Sequence, residues 1–142
     1  MARRIMESAT PVTLVLTGAM TNAAVLLSMY PEVRENLAQI VCMGGSMGMG
    51  NTSPMAEWNI EIDPEAAKAV FGSGIHIVQV PLNVTHTALV TEAVVGRIQA
   101  LESPFAQLIV DLLEFFTDSY KSVWILFFLL IFSLFLTFFG LI

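Results

Sequence analysis

Apolar residues come in short runs divided by caps, prolines and acids as far as Lys121, and after that in one unbroken uncharged run. Val12-Thr13-Leu14-Val15-Leu16 is apolar and β-branched directly after Pro11, which predicts a first strand buried on both faces. Thr21 or Asn22 is placed to cap a helix over 21–30, with Ala23, Leu26, Leu27 and Tyr30 on one stripe before Pro31 interrupts the pattern. A second helical stretch, 32–37, leads to a second strand over 39–43, and 76–80 reads as a third strand stopped by Pro81.

Between the second strand and Asp63 the pattern disappears. The segment after Gly44-Gly45 is rich in Gly, Met, Ser, Asn and Pro, and loops of that length inside a compact domain are usually functional or disordered. Asp63-Pro64-Glu65-Ala66-Ala67 then predicts a helix start: a side-chain acceptor at the cap, a proline preset for the first turn and an acid at the positive end of the dipole. Gly72 or Gly74 is expected to end it. Further on, Thr91 caps a helix over 92–101, and Ser103-Pro104 begins one reaching about Tyr120 with Phe105, Leu108, Ile109, Leu112, Leu113 and Phe116 on one face. The order strand, helix, strand, loop and helix, strand implies an α/β fold, a mostly parallel sheet with right-handed crossovers flanked by helices.

Residues 122–142 read SVWILFFLLIFSLFLTFFGLI, a run with no charge. About 20 apolar residues suffice to cross a bilayer as a helix, so this tail is expected to be a C-terminal hydrophobic helix and a candidate transmembrane segment. Residues 1–121 are expected to form the enzyme-like domain. The tail also accounts for much of the excess in a composition that is 56% hydrophobic with a mean hydropathy of +0.75.

Charge narrows the partners. Twelve acids oppose six bases, for a formal net charge of -6, and the only basic cluster is Arg3-Arg4, so no face is available to neutralise nucleic-acid phosphates. The single cysteine, Cys42, lies in an apolar run and is expected to be a buried small hydrophobe, which leaves no intrachain disulfide. The N-terminal stretch has no apolar core behind its arginines, so a cytoplasmic location is expected, with membrane attachment through the tail as the variant.

In open parallel sheets ligands bind beyond the carboxyl ends of the strands. That rule selects Thr17-Gly18, Met43-Gly44-Gly45 and the stretch from Asn83 to His86, with the loop carrying Asn51, Glu57 and Asn59 starting from the same edge. Each has a plain structural reading: Thr17 as a strand end, Asn51 and Asn59 as turn formers, Glu57 as a solvated loop acid, His86 as a structural histidine. Asp63 is read as a helix cap outside the site. Met47, Met49 and Met55 are read as flexible apolar lining or loop packing.

The motifs Val15-Leu16-Thr17-Gly18-Ala19-Met20-Thr21-Asn22, Met43-Gly44-Gly45, Gly50-Asn51, Ala56-Glu57-Trp58-Asn59, Asp63-Pro64-Glu65-Ala66-Ala67 and Val80-Pro81-Leu82-Asn83-Val84-Thr85-His86 together resemble the middle of an inosine/uridine-preferring nucleoside hydrolase, over roughly residues 12–124. The resemblance implies hydrolysis of the N-glycosidic bond of a ribonucleoside to ribose and a free base, with a bound Ca²⁺ holding ribose hydroxyls and the attacking water. It further implies that Thr17 lends its backbone carbonyl to calcium, that Asn51, Glu57 and Asn59 hydrogen-bond the ribose, that Asn59 also stabilises the developing positive charge, and that Met43 lines the sugar pocket. A ribonucleoside substrate and a homo-oligomer are the partners it implies.

Two family elements have no counterpart here. The N-terminal cluster Asp-x-Asp-x-x-x-Asp-Asp, which supplies most calcium ligands and the general base, is replaced by a stretch in which only Glu7 precedes the first strand. After Trp124, where the family continues to a His-Asp pair, this chain switches to Ile125-Leu126-Phe127-Phe128. The chain alone is therefore expected to bind calcium poorly, to be inactive and to be poorly soluble. The switch reads as a truncation, splicing or frameshift artefact, with a membrane-anchored non-catalytic binding or regulatory protein as the competing account.

Overall fold

In a computed structural model, which describes residues 1–120, the chain forms two compact units, Met1–Asn83 and the segment from Val84 onward. The first unit contains a three-stranded parallel sheet in the order β1 (Val12–Leu16), β2 (Leu37–Met43), β3 (Ile77–Val80). Leu14 lies opposite Ile40, Ile40 opposite Ile77, and Cys42 lies between Leu16 and Gln79. Parallel neighbours need long connections. Here α2 (Thr21–Met29) and a 3₁₀ helix (Pro31–Asn36) join β1 to β2, while the long loop, α3 (Trp58–Glu61) and α4 (Pro64–Phe71) join β2 to β3.

The core sits on one face of this sheet. Ile40 and Cys42 point into a cluster with Met20, Ala23, Leu26 and Leu27 around α2, Val33 of the 3₁₀ helix, Ala66, Ala67 and Val70 of α4, and Ile5 of α1 (Ala2–Met6). The small alanines let α2 and α4 lie near each other and near the strands. Asn36 donates from Nδ2 to the carbonyls of Ile5 and Met6, both at 3.1 Å, at the C-terminus of α1, where the Ser8 N–H also reaches the Ile5 carbonyl.

Two expectations about burial are corrected. Every residue of β1 is only half-buried, and Val78 of β3 is 39% exposed, because the helices of this unit cover one face and β1 is an edge strand. In the second unit, Ala106, Val110 and Leu113 are the buried residues of α7 (Pro104–Tyr120), whereas Phe105, Leu108 and Leu112 are exposed, Phe105 at 71%. The apolar stripe of α7 is wider than its contact with α6 (Glu92–Gln99), so one flank packs and the other faces out.

Element boundaries differ in understandable ways. Thr21 lies inside α2 and caps nothing; Met20 holds the cap position without a side-chain bond, and Thr21 Oγ1 donates to Asp63 instead. The 32–37 stretch is a 3₁₀ helix started by Pro31, and β2 begins at Leu37, earlier than expected. Asp63 caps α4 through Ala66 N–H and Gly72 ends it, as expected; Thr91 caps α6 likewise. The short helices α1, α3 and α5 (Leu82–Thr85) are too brief to show a period. The expected hydrophobic helix at 122–142 lies outside the described residues, and among those described no helix is long and apolar enough to cross a membrane.

Candidate functional site

The site is built at the carboxyl end of β2. Met43 closes that strand, and Gly44-Gly45 turns the chain, Gly45 with φ +78°, a left-handed value that favours glycine. A Cβ at Gly45 would meet Gln79 Nε2 at 2.6 Å. At the other end of the long loop, Glu57 stands at the cap of α3 and is 2% exposed.

Glu57 is the hub of this edge. Its Oε2 accepts from Gly45 N–H at 2.8 Å and Ile60 N–H at 3.2 Å, and its Oε1 accepts from Asn59 N–H at 3.0 Å. A buried carboxylate is tolerated where donors of this kind replace its lost hydration. Asn59, 3% exposed, donates from Nδ2 to the Met43 carbonyl at 3.2 Å and to Met43 Sδ at 3.0 Å. Asn51 joins through Oδ1, which accepts from Trp58 N–H at 2.9 Å. Met43, Glu57 and Asn59 thus form one interlocked group, with Asn51 attached through the backbone of α3.

Thr17 follows Leu16, the register partner of Cys42, so it reaches the same edge one strand away. Thr17, Gly18, Ala19, Thr21 and Asn22 line a cleft of about 460 Å³ between the end of β1 and the start of α2. Beside this cleft, Thr21 Oγ1 donates to Asp63 at 2.5 Å. That bond and the Ala66 N–H hold the Asp63 carboxyl below the usual carboxylate value. Burial pushes the Cys42 thiol up to about 11, so it stays an uncharged core group.

The Asp63 shift has a defined sign. A carboxyl depressed in the folded state contributes stability that is fully present above its unfolded value, about 4, and is lost as pH falls through the lower folded value. Asp63→Asn retains a capping oxygen but no charge. It is expected to melt below the parent at neutral pH, with the two melting curves converging in acid beneath the folded value; a difference independent of pH would contradict the charge-assisted bond.

The three loop methionines depart from what the sequence suggested. Met47, Met49 and Met55 are strongly exposed, Met47 at 85%, so they do not pack the loop. His86 is exposed and belongs to the second unit. Gln79 was overlooked, although it is the one polar residue in the strand Ile77-Val78-Gln79-Val80, and a lone polar side chain just before the site edge was the available signal.

The sequence profile described as inosine-uridine preferring nucleoside hydrolase matches residues 1–130. A pyrimidine-specific ribonucleoside hydrolase, RihA, of Shewanella woodyi is 53% identical over 116 residues, which are 82% of this chain and 37% of that protein. A protein of the same name from Salmonella paratyphi A is 48% identical over 122 residues, 86% of this chain and 39% of its own length. The solved purine-preferring ribonucleoside hydrolase of Gardnerella vaginalis superposes with a TM-score of 0.78 at 30% identity, over 85% of this chain and 39% of that one. The chain therefore spans about two fifths of the length of the curated relatives it matches.

Proposed function

We propose, since this chain belongs to the inosine-uridine preferring nucleoside hydrolase family, that it carries the ribose-recognition segment of a ribonucleoside hydrolase, a hydrolase of N-glycosidic bonds. The observation supporting this most directly is the interlocked group of Met43, Glu57 and Asn59 at the carboxyl end of β2, with Asn51 tied to it. Polar groups held in place before the ligand arrives need little reorganisation to meet sugar hydroxyls or a developing positive charge. In this reading Asn51, Glu57 and Asn59 hydrogen-bond the ribose, Met43 lines its pocket and Asn59 also stabilises the developing positive charge.

The donor set does not fit a resident calcium. Ca²⁺ takes about 6–8 oxygen ligands, carboxylates among them, whereas Thr17 would offer one carbonyl, and among the described residues no group of three His, Cys, Asp or Glu is placed to hold a metal. No residue here is assigned as general base. Calorimetric titration with calcium is expected to show no saturable binding below the millimolar range, and a micromolar dissociation constant would overturn that. The ribose reading is tested by titrating the chain with a protonated pyrrolidine analogue of ribose: saturable binding lost in Asn59→Ala supports it, and no binding by the parent chain ends it.

A second reading rests on the uncharged run 122–142, which lies outside the described residues. In it the enzyme-like body is a membrane-anchored binding or regulatory module. Retention of the full chain in the carbonate-washed membrane fraction, with release only by detergent, is the expected result; recovery in the soluble fraction removes it.

A further inference from the structure

We infer that Gln79 is a positioning residue for Glu57, acting through a single peptide group; the inference rests on the ribose reading above for its functional meaning. The carbonyl of Gly44 and the N–H of Gly45 are the two ends of one planar unit. Gln79 Nε2, reaching across from β3, donates to that carbonyl at 2.8 Å. On the opposite side, the N–H donates to Glu57 Oε2 at 2.8 Å. One peptide is therefore gripped from both ends, by a strand side chain and by a buried carboxylate.

The grip matters because of where it is placed. Gly44-Gly45 has the least backbone restraint of any dipeptide in the chain, and Gly45 at φ +78° has access to the flipped orientation of the preceding peptide at little cost. A flip would turn the N–H away from Glu57 and the carbonyl toward it, placing an oxygen against a buried carboxylate. Flanking bonds hold the turn but not this plane: Gly44 N–H donates to the Val80 carbonyl at 3.3 Å and Leu82 N–H to the Gly45 carbonyl at 2.9 Å. Besides Glu57 itself, Gln79 is the group that resists the flip directly, so it helps to fix how the Glu57 carboxylate is turned, and Glu57 in turn holds the Asn59 and Ile60 amides.

Gln79→Leu removes the donor and keeps a strand-compatible side chain of similar reach. In amide hydrogen exchange of the full chain, Gly45 is expected to exchange about tenfold faster, the worth of one lost hydrogen bond, while Val41 and Cys42 stay protected. Affinity for the pyrrolidine ribose analogue is expected to fall by a similar factor with the melting temperature unchanged. Unaltered Gly45 protection overturns the inference, as does a melting loss in which β2 amides and analogue affinity decline together, since that is a purely structural role. If the leucine variant does not fold, Gln79→Glu, isosteric and without the donor, is read in the same way. Failure of the parent chain to bind the analogue would end the ribose reading, while the Gly45 exchange rate would still decide the role of Gln79.

Discussion

Glu57→Ala is expected to cost about 3–5 kcal/mol of folding stability, among the largest effects of any single substitution in the first unit. The carboxylate accepts from three backbone N–H groups, those of Gly45, Asn59 and Ile60, at a position 2% exposed. Alanine strands the Gly45 and Asn59 N–H groups, while the Ile60 N–H keeps the Glu57 backbone carbonyl at 3.2 Å. Each buried donor so stranded costs about 1–3 kcal/mol, partly relieved where water enters the space vacated. Glu57→Gln keeps the shape and one acceptor oxygen, yet it turns an amide NH₂ toward backbone donors, so an intermediate loss is expected. Equilibrium urea unfolding measures both, and a loss below about 1 kcal/mol for alanine would show that the carboxylate is not what holds the turn to α3. In the ribose reading the same substitution abolishes analogue binding.

Gly50→Ala is the second large effect, and its cause is geometric. A Cβ on Gly50 would lie 2.0 Å from the Ala56 carbonyl oxygen and 2.5 Å from Ala56 C and N. These are backbone atoms, so no side chain is available to move aside. The loop must open, breaking the bonds that close it: Gly50 N–H to the Pro54 carbonyl at 3.0 Å, and Asn51 and Thr52 N–H to the Ala56 carbonyl at 2.9 and 3.2 Å. The expected stability loss is about 1–3 kcal/mol. Its larger consequence falls on Asn51, whose Oδ1 would no longer reach Trp58 N–H. Hydrogen exchange should show protection at Asn51 and Trp58 lost in Gly50→Ala and retained in Gly48→Ala, since a Cβ on Gly48 meets nothing within 4 Å. Equal behaviour of the two variants would refute the closed loop.

The carboxylates of Glu57 and Asp63 differ in how visible their roles are in the sequence. The spacing of Gly50-Asn51 and Ala56-Glu57-Trp58-Asn59 identified the loop by resemblance, but nothing in it distinguished a carboxylate facing solvent from one facing three amides. That distinction depends on Gly45, 12 positions away, arriving at the same edge. Asp63 was legible for the opposite reason: its partner Ala66 lies within one turn, where local sequence controls geometry. Its second partner, Thr21, lies 42 positions away and was read as a cap of its own helix.

What the sequence determined by itself is what short range controls. The three strands, the helices started by Asp63-Pro64, Thr91 and Ser103-Pro104, the burial of Cys42, and the family likeness all follow from runs of a few residues. Tertiary structure decided which faces were covered and what the polar residues did. β1 is half-buried because one helical layer covers one face of its sheet, and the packed flank of α7 is the side carrying the small Ala106. Gln79, the penultimate residue of β3, acquires its place only because parallel register sets it opposite Cys42, beside the turn that β2 is about to make. Periodicity reports how far a side chain alternates with its neighbours, and it carries no information on which distant backbone will lie against it.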